Sequence, residues 1–129
     1  MGHDVYDFRK NSFKWEDLLP GHHVDTIHPA VHQKLLGEKP TVAAYAADMT
    51  ALREADMVVM VCPCGSSAHM EAGWGVGAGK ELIIYQQDPQ RPDVMYKMGT
   101  LVTSACQLRA AIVDEELEQQ LAKEDQDQS

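Results

Sequence analysis

Residues 55–85 read ADMVVMVCPCGSSAHMEAGWGVGAGKELIIY, and the changes of pattern within that run decide the fold. Met57 to Cys62 (MVVMVC) is six unbroken apolar residues rich in β-branched side chains, which suits a strand covered on both faces and placed centrally in a parallel sheet. A turn of Pro63, Cys64, Gly65, Ser66 and Ser67 follows, and then a helix is expected over residues 68–78 with Gly79 as its C-terminal cap. Residues 82–85 (LIIY) repeat the buried-strand pattern. Strand, helix and strand joined by short turns make the βαβ unit of an α/β protein.

Outward from this run the pattern continues. Residues 4–8 (DVYDF) read as a short first strand. Residues 11–37 carry Pro, Gly and four of the six histidines, with 27–36 the best helical stretch. Pro40 suits a first helical turn, and Val42, Tyr45, Ala46, Met49 and Leu52 follow at helical spacing up to about Ala55. Beyond residue 85, a polar loop over 86–92 leads to one or two helical turns over 93–98 and a short strand over 101–103. Ser104-Ala-Cys-Gln107 has the spacing of a capping box, so a closing helix with Leu108, Ala111 and Ile112 inward is expected. The expectation is a doubly wound, flavodoxin- or Rossmann-like parallel sheet with helices on both faces. One domain covers residues 1–121, and a frayed acidic tail covers 122–129.

Composition narrows the class. At 129 residues, 44% hydrophobic and 24% charged, the chain fits one globular core. The net charge of −9 disfavours a nucleic-acid polymer as partner. Seven acids and one lysine fall between Asp114 and Ser129, so −6 of the −9 lies there and the body is near neutral. No apolar run is long enough to span a bilayer, and the N-terminus shows no basic-then-apolar leader pattern, so a cytoplasmic protein without membrane contact is expected. Three cysteines, Cys62, Cys64 and Cys106, point to reduced thiols. Cys62 and Cys64 lack further ligands at zinc-knuckle spacing, and His22, His23, His28 and His32 read as a solvated cluster; no metal and no cofactor is expected.

The turn over residues 63–67 concentrates the chemistry. Small residues and hydroxyls ahead of a helix leave backbone N–H groups aimed at the carboxyl end of a strand, a seat for phosphate or another anion. Ser66 and Ser67 equally suit simple caps. With Ser67 as N-cap, a capping-box acid belongs at position 70, so Glu71 is either an exposed helical glutamate or a carboxylate held ionised for use as a nucleophile. Gly73, Gly75, Gly77 and Gly79 alternate in the same helix, and close packing onto the sheet is the expected reason. His69 falls on a different helical face from Glu71 and is a candidate ligand contact. Trp15 and Trp74 read as core or interface anchors.

The run over residues 55–85 resembles the core of the nucleoside 2-deoxyribosyltransferase family and its nucleotide N-glycosidase relatives, in which a strand ends in a Gly/Ser turn, a helix opens with Glu followed by Gly, and Gly-Lys leads into the next strand. The resemblance implies that Glu71 is the catalytic glutamate, that Asp48 contacts the base, and that Ser66 and Ser67 lie where nucleotide-preferring relatives hold a 5′-phosphate. VYDFRKN, residues 5–11, resembles the second strand of phage and bacterial members. Two departures stand out. Gly65 occupies the position, six residues before the glutamate, where transferases carry an aspartate. The family also places a strand, a loop and a helix ahead of the stretch matched by VYDFRKN, at which this sequence opens; a partner subunit replaces that unit, or it lies outside this sequence, or the site is incomplete. Pro63-x-Gly65 with Glu71 also resembles the PGGxGTxxE pattern of cytokinin-activating phosphoribohydrolases, broken here by Cys64 and Ser67.

The expected function is cleavage or transfer of the N-glycosidic bond of a nucleoside or nucleoside 5′-monophosphate, with Glu71 and Asp48 catalytic and Asp7, Arg9, Gly65, Ser66, Ser67 and His69 binding substrate. The alternative is a non-catalytic nucleotide-binding or assembly module. A homodimer or larger homo-oligomer is expected in either case, because an apolar edge strand invites pairing.

Overall fold

The computed structural model describes residues 4–10, 13–21 and 23–127, with the side chains of Arg9 and residues 124–127 outside the description. The chain divides into two compact units, Met1–Glu54 and Ala55–Ser129.

The first unit is helical: α1 (Trp15–Leu18), α2 (Pro29–Leu35) and α3 (Lys39–Glu54), with 3-10 turns at Phe8–Lys10 and Val24–Thr26. The strand expected over residues 4–8 does not form; 4–7 are irregular and Phe8 opens a 3-10 turn. Local contacts compete with extension there. The Lys10 amide donates to the Asp7 carbonyl at 3.0 Å, and the Tyr6 and Phe8 rings meet edge-on with centroids 4.8 Å apart. Pro29 sits at the start of α2, and His28 caps that helix by accepting the Ala30 amide on Nδ1 at 3.0 Å. His32 lies edge-on to Trp15 at 6.1 Å. These two histidines of the expected solvated cluster thus have structural contacts, while His22 lies outside the described residues. In α3, Thr41 and Leu52 are buried, whereas Val42 and Tyr45 are exposed. The sheltered stripe therefore runs through Thr41, Ala44, Asp48, Met49 and Leu52, so Met49 and Leu52 turn inward as the apolar pattern expects, while Val42, Tyr45 and Ala46 do not.

The second unit is α/β. Strands β1 (Met57–Cys62), β2 (Glu81–Gln86) and β3 (Thr100–Val102) form a parallel sheet in the order β1-β2-β3. Met57 pairs with Glu81 at one end and Cys62 with Gln86 at the other. Helix α4 (Ser66–Gly77) joins β1 to β2, a 3-10 turn (Val94–Met98) joins β2 to β3, and α5 (Ala105–Asp127) closes the chain. The helix α5 continues past Leu121, where the sequence suggested fraying.

Side chains alternate across the sheet. Met60, Cys62, Leu82 and Ile84 form a buried cluster with Ala72 of α4. The opposite face carries Ile83, which is buried, and Glu81, whose carboxylate meets Glu115 and Glu118 of α5. Helices thus cover both faces of the sheet, an arrangement compatible with a Rossmann-like fold.

MVVMVC is not the central strand. That place belongs to β2, whose Leu82, Ile83 and Ile84 are all buried. On β1 the residues facing away from α4 stay open, with Val59 38% and Val61 53% exposed. Hydrophobicity alone could not separate the two strands. The α5 helix packs chiefly on β2 and β3, and Val59 and Val61 on that face of β1 stay exposed.

The glycines of α4 separate by role. A Cβ on Gly75 would lie 2.8 Å from Cγ2 of Val58, so its absence lets α4 sit close to β1. A Cβ on Gly73 or Gly77 would meet nothing within 4 Å, and packing does not explain either. Gly79 has φ +83° and ends the helix, with the Lys80 amide donating to the Gly75 carbonyl at 2.9 Å. The Lys80 ammonium donates to the Ala55 carbonyl and ties the end of α4 to the start of β1. Gly75→Ala is expected to destabilise, since overpacking against a branched side chain costs about 1–3 kcal/mol against a helix-propensity gain of at most ~1 kcal/mol. Gly73→Ala keeps only that gain. Thermal melts should move in opposite directions for the two variants, and shifts of the same sign would reject the packing account of Gly75.

At the far end of the unit, Ser104 Oγ accepts the Gln107 amide at 3.1 Å, as a capping box requires. The Gln107 side chain reaches back to the Thr103 amide at 2.8 Å instead of the Ser104 amide.

Candidate functional site

Helix α4 begins two residues earlier than a Ser67 cap would place it. Gly65 is the N-cap and contributes no side-chain hydrogen bond, so Ser66 and Ser67 are the first two helical residues. Both are exposed. The first intrahelical bond runs from the His69 amide to the Gly65 carbonyl at 3.4 Å. The amides of Ser66, Ser67 and Ala68 precede it and point toward the carboxyl end of β1. Capping therefore does not account for the two serines.

Glu71 lies in the second turn of α4 and is half-buried. It follows Ser67 by four residues, which puts both on one helical face with Cβ atoms about 5–6 Å apart. Asp7 and Asp48 are both half-buried in the first unit. Asp48 Oδ1 accepts the Tyr6 hydroxyl at 3.1 Å. Arg9 has its backbone in the 3-10 turn Phe8–Lys10. The expected site residues thus fall into two groups: Gly65, Ser66, Ser67, His69 and Glu71 at the head of α4, and Asp7, Arg9 and Asp48 in the first unit.

His69 is fastened at both ring nitrogens. Nδ1 lies 2.8 Å from the Gly65 carbonyl oxygen, which only accepts, so Nδ1 carries the proton. Nε2, 2.9 Å from the Tyr96 hydroxyl, therefore accepts from it. The two rings also stack, with centroids 5.7 Å apart at 28°. Gln90 Nε2 donates to the Tyr96 oxygen at 3.3 Å, and the Cys62 thiol is 3.7 Å from it and donates in turn. Burial pushes the Tyr96 hydroxyl above its ordinary value, in keeping with a hydroxyl that stays protonated and donates.

Cys64 Sγ lies 3.8 Å from His69 Nδ1. This is not an activated thiol, because a protonated Nδ1 cannot take its proton. Burial, then the charge of Cys62 and a hydrogen bond with it, raise the Cys64 thiol above its ordinary value. Tyr96, Gln90 and the pairing of the two thiols were beyond the sequence reading. Residues 90 and 96 reach the turn only because the segment after β2 folds back over it.

A second polar cluster lies on the other face of the sheet, where single carboxylate oxygens of Glu81, Glu115 and Glu118 fall within 4.8 Å of one another. Burial, then Glu81 and Glu118, raise the Glu115 carboxyl. Folding therefore favours its protonated form: its contribution is best below the ordinary glutamate range and is lost as pH rises through the raised value. Glu115→Gln should raise Tm at pH 7 by ~1–3 °C, a small effect because the group is largely solvated, and should leave Tm unchanged at pH 4. Equal shifts at both pH values would refute the repulsion.

Comparison with family models, with curated proteins and with solved structures gives no match. Among the described residues, no helix is long and apolar enough to cross a membrane.

Proposed function

We propose that this chain is a relative of the nucleoside 2-deoxyribosyltransferases that binds a nucleoside or nucleoside 5′-monophosphate and cleaves or transfers its N-glycosidic bond. The observation that carries the reading is the head of α4, where uncapped amides and two exposed serines open the helix and one of those serines, Ser67, lies one helical turn before a half-buried glutamate on the same face. An anionic group of the substrate would accept from the amides of Ser66, Ser67 and Ala68. The next turn then brings Glu71 to the sugar, since one helical turn matches the span of a furanose with its exocyclic carbon. Departure of the base leaves an oxocarbenium-like centre at C1′, which a carboxylate attacks or stabilises on one face while an acid protonates the base on the other. On the sequence resemblance Asp48 is proposed for base contact; Asp7 and Arg9, also of the first unit, and His69, at the head of α4, remain proposed binding residues. The sequence resemblance over residues 55–85 supports the same assignment.

Incubation with a panel of nucleosides and 5′-monophosphates, followed by chromatography for free base, tests the proposal directly. Absence of free base throughout, with and without an acceptor base, would reject it. The second reading, a non-catalytic nucleotide-binding or assembly module, draws on the exposed valines of β1 and on Gly65 standing where the transferases carry an acid. It predicts nucleotide binding or association without base release.

The phosphate part of the proposal has its own check. A nucleoside monophosphate should bind more tightly than its nucleoside. Ser67→Ala should shrink that difference about 5–10-fold, the worth of one hydroxyl hydrogen bond to a charged group. Equal affinities of the wild-type protein for the two ligands in calorimetry would refute a phosphate seat.

A further inference from the structure

Cys62 and Cys64 bracket Pro63 where β1 runs into the turn ahead of α4. Cys62 is buried and Cys64 half-buried. Their sulfurs border the same pair of rings, Cys62 Sγ at 3.7 Å from Tyr96 Oη and Cys64 Sγ at 3.8 Å from His69 Nδ1. We propose that Cys62 and Cys64 form a two-thiolate site for a soft monovalent cation of the copper(I) class, held between their sulfurs.

The neighbouring groups select the kind of cation. Zinc in a structural site takes four ligands. Here the imidazole is engaged on both nitrogens, by Gly65 and by Tyr96. Among the described residues, the three ligand atoms that do converge are the carboxylate oxygens of Glu81, Glu115 and Glu118, hard donors on the opposite face of the sheet. The thiols are thus left as a pair. Thiolate pairs suit soft ions that accept low coordination, copper(I) above zinc, calcium or magnesium. The two cysteines flank a single residue, and their sulfurs abut the hydrogen-bonded His69–Tyr96 pair from its two ends, which gathers them at one corner of the turn. The half-buried Cys64 gives the ion a way in, and the buried Cys62 shields it from water.

Binding exchanges protons for the cation. One copper(I) replaces the two S–H protons, both of which pass to solvent, and no electron is transferred. The Cys62 sulfur then has no proton to give to the Tyr96 oxygen. This inference does not rest on the proposed function, and its test needs no substrate.

The test is an anaerobic titration of the full chain with copper(I) against a chromophoric copper(I) chelator. The expected result is one ion held per chain with release of two protons. Cys64→Ser should weaken binding by roughly a hundredfold or more, and Cys106→Ser, on α5, should leave it unchanged. Cys64 is half-buried, so its serine variant is expected to fold, and circular dichroism checks that it does. Complete loss of the copper to the chelator, unchanged affinity in Cys64→Ser, or zinc binding as tight as copper(I) would each overturn the proposal. So would mild oxidation that closes a Cys62–Cys64 disulfide without any copper being held by the reduced protein.

Discussion

Glu71→Gln is expected to lower base release by about a thousandfold or more while leaving the thermal melt within a degree or two of the wild type. Glutamine preserves the size of the side chain and its ability to accept a hydrogen bond, but it removes the anion. A carboxylate that attacks C1′, or that faces an oxocarbenium-like centre, acts through that charge, and mutants lacking a nucleophile lose several powers of ten in rate. The measurement is a single-turnover assay of free base, with the melt as the control for folding. Retention of most of the activity would remove Glu71 from the chemistry and leave α4 as a binding element only. A large fall in Tm would instead mark the residue as structural. The half-buried position of Glu71 in the second turn makes both readouts informative.

The second large effect concerns mass. A chain of 14.3 kDa is expected to scatter light at micromolar concentration as a dimer or larger species. The outer edge of β1 has no partner strand among the described residues, because β1 ends the order β1-β2-β3. Val59 and Val61 add exposed apolar surface beside that edge. Unpaired N–H and C=O groups flanked by such side chains template the addition of another strand, and a second copy supplies one in a closed two-fold pairing. Val61→Lys puts a charge on the exposed side of the strand without entering the cluster around Met60 and Cys62, and should return the monomer. A wild-type mass of 14.3 kDa would defeat the association. A dimer that persists in Val61→Lys would place the interface elsewhere.

Much of the second unit was legible from the order of residues. Met57–Cys62, bounded by Asp56 and Pro63, and residues 82–85 (LIIY) are continuous runs dominated by apolar side chains, and such runs form strands wherever a sheet accepts them. Gly79 announced the end of α4, and Ser104 the start of α5, because a left-handed residue and an N-cap hydroxyl act within a few residues of where they stand. The first unit was less legible. DVYDF has the alternation of a strand, yet extension needs a neighbouring strand, and none pairs with it among the described residues. Val42 and Tyr45 fit an apolar stripe in α3 but face outward, while Asp48 is half-buried, so periodicity there gave the helix without its orientation.

The candidate site divides in the same way. Glu71, Ser66, Ser67 and Gly65 belong to one turn and one helix, so their proximity follows from the sequence once the helix is granted. Its starting residue did not follow: Gly65, with no capping side chain, took the N-cap in place of Ser67. Tyr96 reaches His69 from 27 positions along the chain, in the 3-10 turn that follows β2, with Gln90 donating to its hydroxyl oxygen, and no local pattern marks either residue. The sequence by itself therefore determined the α/β class, the strand and helix segments of the second unit and the turn that gathers its small polar residues, because these arise from contacts a few residues apart. The tertiary structure decided which strand is central, which face of β1 stays open, and which proton His69 carries, because each depends on groups that only folding brings together.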